Sequence, residues 1–210
     1  MPKRAAAASE WLPASVASRL AAAVVSGVLV AAVANAAPVF DLAQLADMLA
    51  RVKSGEALFT EQRRIEMLDR TLESSGRLFF RAPDVFVRET LKPRHEKLAV
   101  DGNTLTMSIG ERSRTLPLDS TPEAGVVVEA IRGTLTGNRE ALERLFVAVV
   151  TGSSERWSLE LVPRDLRLRG QVASVRVLGH EAVVREVQVM LADGDRSTMT
   201  VEPLASGTTR

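Results

Sequence analysis

The order of periodicities along the chain predicts an α+β fold, an antiparallel sheet with helices gathered on one face. Three observations lead there. A single amphipathic helix pattern follows an apolar leader, a run of short strand-like segments comes next, and helical spacing returns in the middle before strands resume. The alternating βα order of a parallel sheet is missing.

Leu42, Leu45, Met48, Leu49 and Val52 recur at helical spacing behind Asp41, whose carboxylate can cap the first turn, and Gly55 is placed to end the segment. Residues 76–81, 85–90, 97–100 and 104–109 are short and rich in β formers, so they read as strands paired locally and antiparallel. In the last of them Leu105, Met107 and Ile109 alternate with Thr104, Thr106 and Ser108. Asp101-Gly102-Asn103 supplies residues that tolerate positive φ, as a tight hairpin requires.

Ser120 followed by Glu123 is a capping-box pattern, Pro122 suits the first helical turn, and Val126, Val127, Ala130 and Ile131 form an apolar stripe. Gly133 and Gly137 punctuate this helix. Asn138 can start another through Leu142, Leu145 and Phe146, with Thr151-Gly152-Ser153-Ser154 as a separator. Strands resume where Trp157, Leu159 and Leu161 alternate with polar residues, then around Val175 and Val177, Val187 and Val189, and Met199 and Val201, with Asp193-Gly194-Asp195 as a further turn.

The leader sets an expected compartment. Lys3, Arg4 and Arg19 flank an uncharged stretch over 20–34, and Ala34-Asn35-Ala36 offers a small-x-small cleavage pattern before Ala37-Pro38. The expected layout is a signal peptide over 1–36 and a single domain over 37–210, exported to the periplasm. The stretch is mostly Ala and Val, which insert weakly, so cleavage is preferred over a retained anchor. Without cysteine there is neither a lipidated N-terminus nor a disulfide. The leader holds three basic residues and one acidic, leaving 24 basic against 25 acidic beyond it. That balance argues against nucleic acid, which needs a concentrated basic face, and the Arg residues at 63, 64, 112, 114, 164, 167 and 169 are scattered.

From Phe59 onward the chain carries Phe59-Thr60-x-Gln62, Gly76-x-Leu78-x-Phe80, Pro83-x-x-Phe86 and Asp101-Gly102-Asn103-Thr104-Leu105 in fixed order. This ordered set resembles the LolA-like outer-membrane lipoprotein carriers. Trp157-x-Leu159-x-Leu161-x-Pro163 and the turn at Asp193-Gly194 are similar to the family's later strands. The resemblance implies an incomplete, half-open antiparallel β-barrel wrapped around a few helices, with an apolar space between them for acyl chains. It implies a monomeric periplasmic carrier that takes an acylated lipoprotein or related amphiphile from an inner-membrane donor or exporter to an outer-membrane acceptor, with no cofactor.

The physical need for such a cover is independent of the family. A bare sixteen-carbon chain in water costs on the order of 12 kcal/mol at about 0.8 kcal/mol per methylene. Candidate lining residues are Phe59, Leu78, Phe80, Phe86, Leu105, Met107 and Ile109 on the sheet and Val126, Val127 and Ile131 on the helix above it. One-sided burial produces the same alternation, so for any single one of them plain core packing is the preferred reading over ligand contact. Family members carry an Arg before the Pro matching Pro83, and the resemblance assigns it to holding the helical lid shut. Here that position is Ala82. Arg81 lies one residue earlier, where a strand points to the other face, and Arg88 is a candidate polar contact at the cavity mouth.

Two other classes remain open to test. His95 and His180 each neighbour a Glu and offer a hydrolase base, but no nucleophile elbow, phosphate loop or zinc-helix pattern accompanies them, and no enzyme is expected. A membrane-anchored lipid or lipoprotein sensor of the same fold is the other reading, favoured if the leader is retained.

Overall fold

The computed structural model describes residues 40–204 except Asp69. The leader and its expected cleavage site lie outside the described residues. Helix α1 (Leu42–Leu49) starts as expected, with the Asp41 side chain accepting from the Gln44 N–H at 2.9 Å. It ends earlier than its apolar spacing suggests. Gly55 is no helix stop but lies in strand β1 (Ser54–Ile65), where it pairs with Phe80, because the ladder with the next strand claims the backbone from Ser54 on.

Strands β2 (Arg70–Arg81), β3 (Val85–Lys92), β4 (Glu96–Asp101), β5 (Thr104–Ile109) and β6 (Arg112–Pro117) follow as a meander. Helices α2 (Pro122–Thr136) and α3 (Arg139–Leu145) lead into β7 (Phe146–Gly152) and β8 (Trp157–Pro163). A short α4 (Leu166–Arg169) precedes β9 (Val172–His180), β10 (Val183–Leu191) and β11 (Arg196–Pro203). All pairings are antiparallel, and β1 joins the two halves by pairing with β11, Phe59 opposite Val201. The result is one sheet of 11 strands, ordered β6-β5-β4-β3-β2-β1-β11-β10-β9-β8-β7. It does not close, because β6 and β7 remain its two edges. No helix among the described residues is long and apolar enough to cross a membrane.

Residues directly opposite across antiparallel strands share a face, so the register defines rows. Phe80, Phe86, Val100 and Leu105 form one row; Leu78, Arg88, Leu98 and Met107 form the next. Glu61, Met199, Val187, Val177 and Leu159 form a third across the other half. The helices lie on this face. Leu45, Leu49, Val126, Ala130 and Leu142 pack on Leu159, Leu161, Val175 and Val177 in one core cluster. Val100, Leu105, Leu118 and Val128 make a second. Since Val126 and Ala130 lie on one side of α2 and Val128 on the other, the helix is a wedge between the two halves of the sheet.

Three local expectations are corrected. Ser120 does not cap α2: it ends a 3-10 turn and its hydroxyl donates to the Pro117 carbonyl at 2.7 Å, while Thr121 stands at the cap with its hydroxyl donating to the Leu118 carbonyl at 3.1 Å rather than bonding the helix. Gly133 does not interrupt α2 but sits buried inside it, where an added Cβ would lie 2.7 Å from Leu142 Cδ2. Gly137 does end it, at φ 62°, with Ala46 of α1 and Ala50 at that helix's C-terminal cap packed close. Phe146 leaves the helical conformation and begins β7, an edge strand whose run of β-branched residues shows no alternation in sequence.

Candidate functional site

Between the two core clusters lies a cavity of about 310 Å³. Its roof is Ile131, Thr134 and Leu135 of α2, of which Ile131 also packs against the first cluster. One wall is Ala57, Leu78, Phe80 and Phe86 from β1 to β3; the opposite wall is Val177, Val183, Val184 and Val187 from β9 and β10; Met199 and Val201 of β11 join them. Val52, Ser54, Ala182, Pro203 and Leu204 gather at one end of the strands and form the rim. The Thr134 hydroxyl is spent on the Ala130 carbonyl at 2.7 Å, so the roof presents no free polar group to an occupant. A curved sheet of which only the flanks pack on helices leaves this gap above its central strands. The surface around it suits an apolar chain and little else.

Four of the ten expected lining residues, Leu78, Phe80, Phe86 and Ile131, border the cavity. Leu105, 1% exposed, belongs to the second core cluster, and Met107 packs against it. Val126 is buried in the first cluster, with Val127 packed on it. Ile109 is 48% exposed at the far end of β5. Phe59 is buried under Arg88, whose guanidinium carbon stands 4.8 Å from the ring centroid. The residues missed by sequence reasoning come mostly from β9 to β11. Alternation marked Val177, Val187, Met199 and Val201 as strand residues of one face, but no local signal told which inward row would face a gap, and the adjacent Val183 and Val184 do not alternate at all.

Arg88 shares the inner face and pairs in register with the lining residue Leu78, yet its head points away from the rim, so the expected contact at the mouth is corrected. It reaches Glu61 at 2.5 Å, and Glu61 also accepts from the hydroxyls of Ser74 at 3.1 Å and Ser197 at 2.5 Å. Burial pushes the Glu61 carboxyl up, but the Arg88 charge and the hydrogen bonds from Ser197, Arg88 and Ser74 together outweigh it and hold the group below its ordinary value. This polar cluster adjoins the cavity wall, because Glu61 lies opposite Met199. Arg81 is exposed on the outer face, one residue past Phe80, and does not approach α2. Ala82, at the position of the family's latch, donates its N–H to the Lys53 carbonyl at 2.8 Å and precedes a cis proline bond.

His95 is exposed and bonded to Glu89 at 2.9 Å, and His180 is exposed at the end of β9; neither borders the cavity. Among the described residues no group of three or more His, Asp or Glu side chains is placed to hold a metal.

Several solved structures share similarity at low identity. A LolA superfamily protein from Nitrosomonas europaea is 9% identical, with 78% of this chain and 92% of that chain covered and a TM-score of 0.44. A protein of the DUF1329 family from Desulfovibrio piger is 9% identical over 81% of this chain and 92% of its own, with a TM-score of 0.46. A chain of the MucA/MucB complex from Pseudomonas aeruginosa is 15% identical over 81% of this chain and 59% of its own, with a TM-score of 0.45. No curated protein matches the chain. The sequence itself matches, over residues 33–208, the family described as outer membrane lipoprotein carrier protein LolA-like. With that match spanning most of its 210 residues, on an open antiparallel sheet that encloses an apolar cavity, the chain belongs to the LolA-like family of carrier-type folds.

Proposed function

We propose that the chain is a periplasmic carrier that covers an acyl chain of a lipoprotein or related amphiphile beneath α2 and passes it from an inner-membrane donor to an outer-membrane acceptor. The cavity is the observation that carries this reading. At roughly 30 Å³ per methylene-sized group, its volume of about 310 Å³ holds on the order of ten carbons. Covering them is worth about 8 kcal/mol at about 0.8 kcal/mol each. Such a gain retains cargo in transit and still permits release when a partner offers equal cover. Apart from Ser54 and Glu56 near the rim and Thr134, whose hydroxyl is engaged, the lining is apolar, which favours carriage of an apolar chain over catalysis.

The test starts from the full chain expressed with its leader in a Gram-negative host and recovered by osmotic shock. Native mass spectrometry followed by lipid extraction should find a mature chain beginning at Ala37 with an amphiphile bound. Leu78→Glu places a carboxylate on the cavity wall and should abolish the bound species while the far-ultraviolet circular dichroism is unchanged. A folded variant that still carries the amphiphile would overturn the proposal. Recovery only with the membranes would point instead to the anchored sensor.

A further inference from the structure

The two edges of the sheet are guarded unequally. An edge strand exposes a row of unpaired backbone N–H and C=O groups, and proteins blunt such rows with charge or proline. β6 is blunted in this way: Arg112 and Arg114 point to the inner face and Pro117 ends the strand. A two-fold pairing of β6 about Ser113 or Arg114 would set arginine against arginine.

β7 carries none of these devices in its own residues, although Arg164 donates to the Phe146 carbonyl at its first position at 2.9 Å. Its seven residues, Phe146 to Gly152, include no charge and no proline, and five are Phe, Val or Thr of high β propensity apart from Ala148 and Gly152. Among the described residues only β8 pairs with it. Helices α1 and α3 pack on its inner side, where Phe146 is buried, and on its outer side Val147 is 43% and Val149 51% exposed. On that outer face Val162 of β8 lies beside Val147, while Glu160 lies beside Val149, so the exposed apolar surface is confined to Val147, Val149 and Val162.

We propose that β7 is a self-pairing edge, and that two copies of the chain join through antiparallel β7 strands into one continuous sheet. The occupant is a second copy because the strand is complementary to itself. A two-fold axis through Val149 sets Val149 against its counterpart, Ala148 against Val150, Val147 against Thr151 and Phe146 against Gly152. Every cross-strand pair is neutral, so the like-charge repulsion that prevents self-pairing at β6 is missing. The same register sets exposed Val149 against its counterpart and exposed Val147 against Thr151. This dimer replaces the single-chain state expected from the sequence, and it leaves the cavity rim free, since neither β7 nor β8 supplies a rim residue.

The chain has no cysteine, which makes single thiols a direct ruler. At the axis, Val149→Cys brings two Cα atoms to about 4.5–5.5 Å, inside the disulfide range. Val147→Cys leaves its two copies four residues out of register, on the order of 13 Å apart. With copper phenanthroline as oxidant, Val149→Cys should form a covalent dimer at least roughly tenfold faster than Val147→Cys or than Ser113→Cys on β6. Sedimentation equilibrium of the unmodified chain should show a mass rising to two copies with concentration, and Val149→Lys should hold it at one. Equal cross-linking of the three variants, or a single-copy mass at every concentration, overturns the proposal. So does a monomer that takes up an extended peptide of another protein along β7. None of these readouts involves lipid, so they stand or fall apart from the carrier reading.

Discussion

Arg132, on the helix that roofs the cavity, donates to the carbonyl oxygen of Gly102 at 2.6 Å, tying α2 to the hairpin turn between β4 and β5. Its other amino group holds Glu129 one turn back at 2.8 Å, which fixes the guanidinium in place. The family's latch runs from an Arg on the strand side toward the helix. In this chain the position before Pro83 is Ala82, and the bond between helix and sheet is made by Arg132 of α2.

If this bond restrains α2, Arg132→Ala should loosen the roof. The expected loss of stability is about 1.5 kcal/mol, the net worth of a hydrogen bond from a charged donor in a half-buried setting. Urea unfolding measures that loss. The dissociation rate of a fluorescent fatty acid, read by stopped flow, should rise by several fold, with Arg132→Lys intermediate. An unchanged rate in a destabilised variant would confine Arg132 to a structural role.

Glu61 gives the sheet a pH dependence with a definite sign. Its carboxyl is held below the ordinary 4.5 in the folded state, so it stabilises the fold fully above that value and the contribution is lost as pH falls through the lower native value. Glu61→Gln should therefore be less stable than the parent at pH 7, and the difference should shrink below about pH 4. Urea midpoints at pH 7, 5 and 3 provide the comparison. A gap that stays constant across that range would show that the ionised carboxylate is not what matters.

Leu105 and Leu78 separate core from lining. Leu105 is closed inside the second cluster with Val100, Leu118 and Val128, so Leu105→Ala should cost about 2–5 kcal/mol through lost burial and a new void. It should leave bound amphiphile unchanged in the folded fraction. Leu78→Ala, at the cavity wall, should cost less stability and shift the fatty-acid dissociation constant instead. Thermal unfolding and fluorescence titration on the same two preparations decide it.

Local chemistry carried a good part of the fold into view. Asp41 caps α1 and Asn138 caps α3, each accepting a backbone N–H three residues on, as their residue types require. Gly102 and Gly137 take positive φ where a hairpin and a helix end demand it. The alternation from Leu105 to Ile109 did mark a strand, and the ordered motifs from Phe59 to Leu105 did mark the family. Each of these depends on neighbours within a few positions or on a fixed order, and both are written in the chain.

The cavity is not a local property. Leu78 and Leu105 alternate alike, yet Leu78 faces a gap and Leu105 a packed cluster, because α2 lies against one row of the sheet and spans above another. Val184, Val187, Met199 and Val201 reach the same space from the other end of the chain only through the pairing of β1 with β11, more than a hundred residues apart in sequence. Glu61 and Arg88 likewise meet across strands whose spacing predicts nothing about their contact. The sequence alone determined which residues face inward and where the backbone turns. Which inward residues line a hollow was decided by the tertiary structure, since a void exists only where distant elements fail to fill the volume between them.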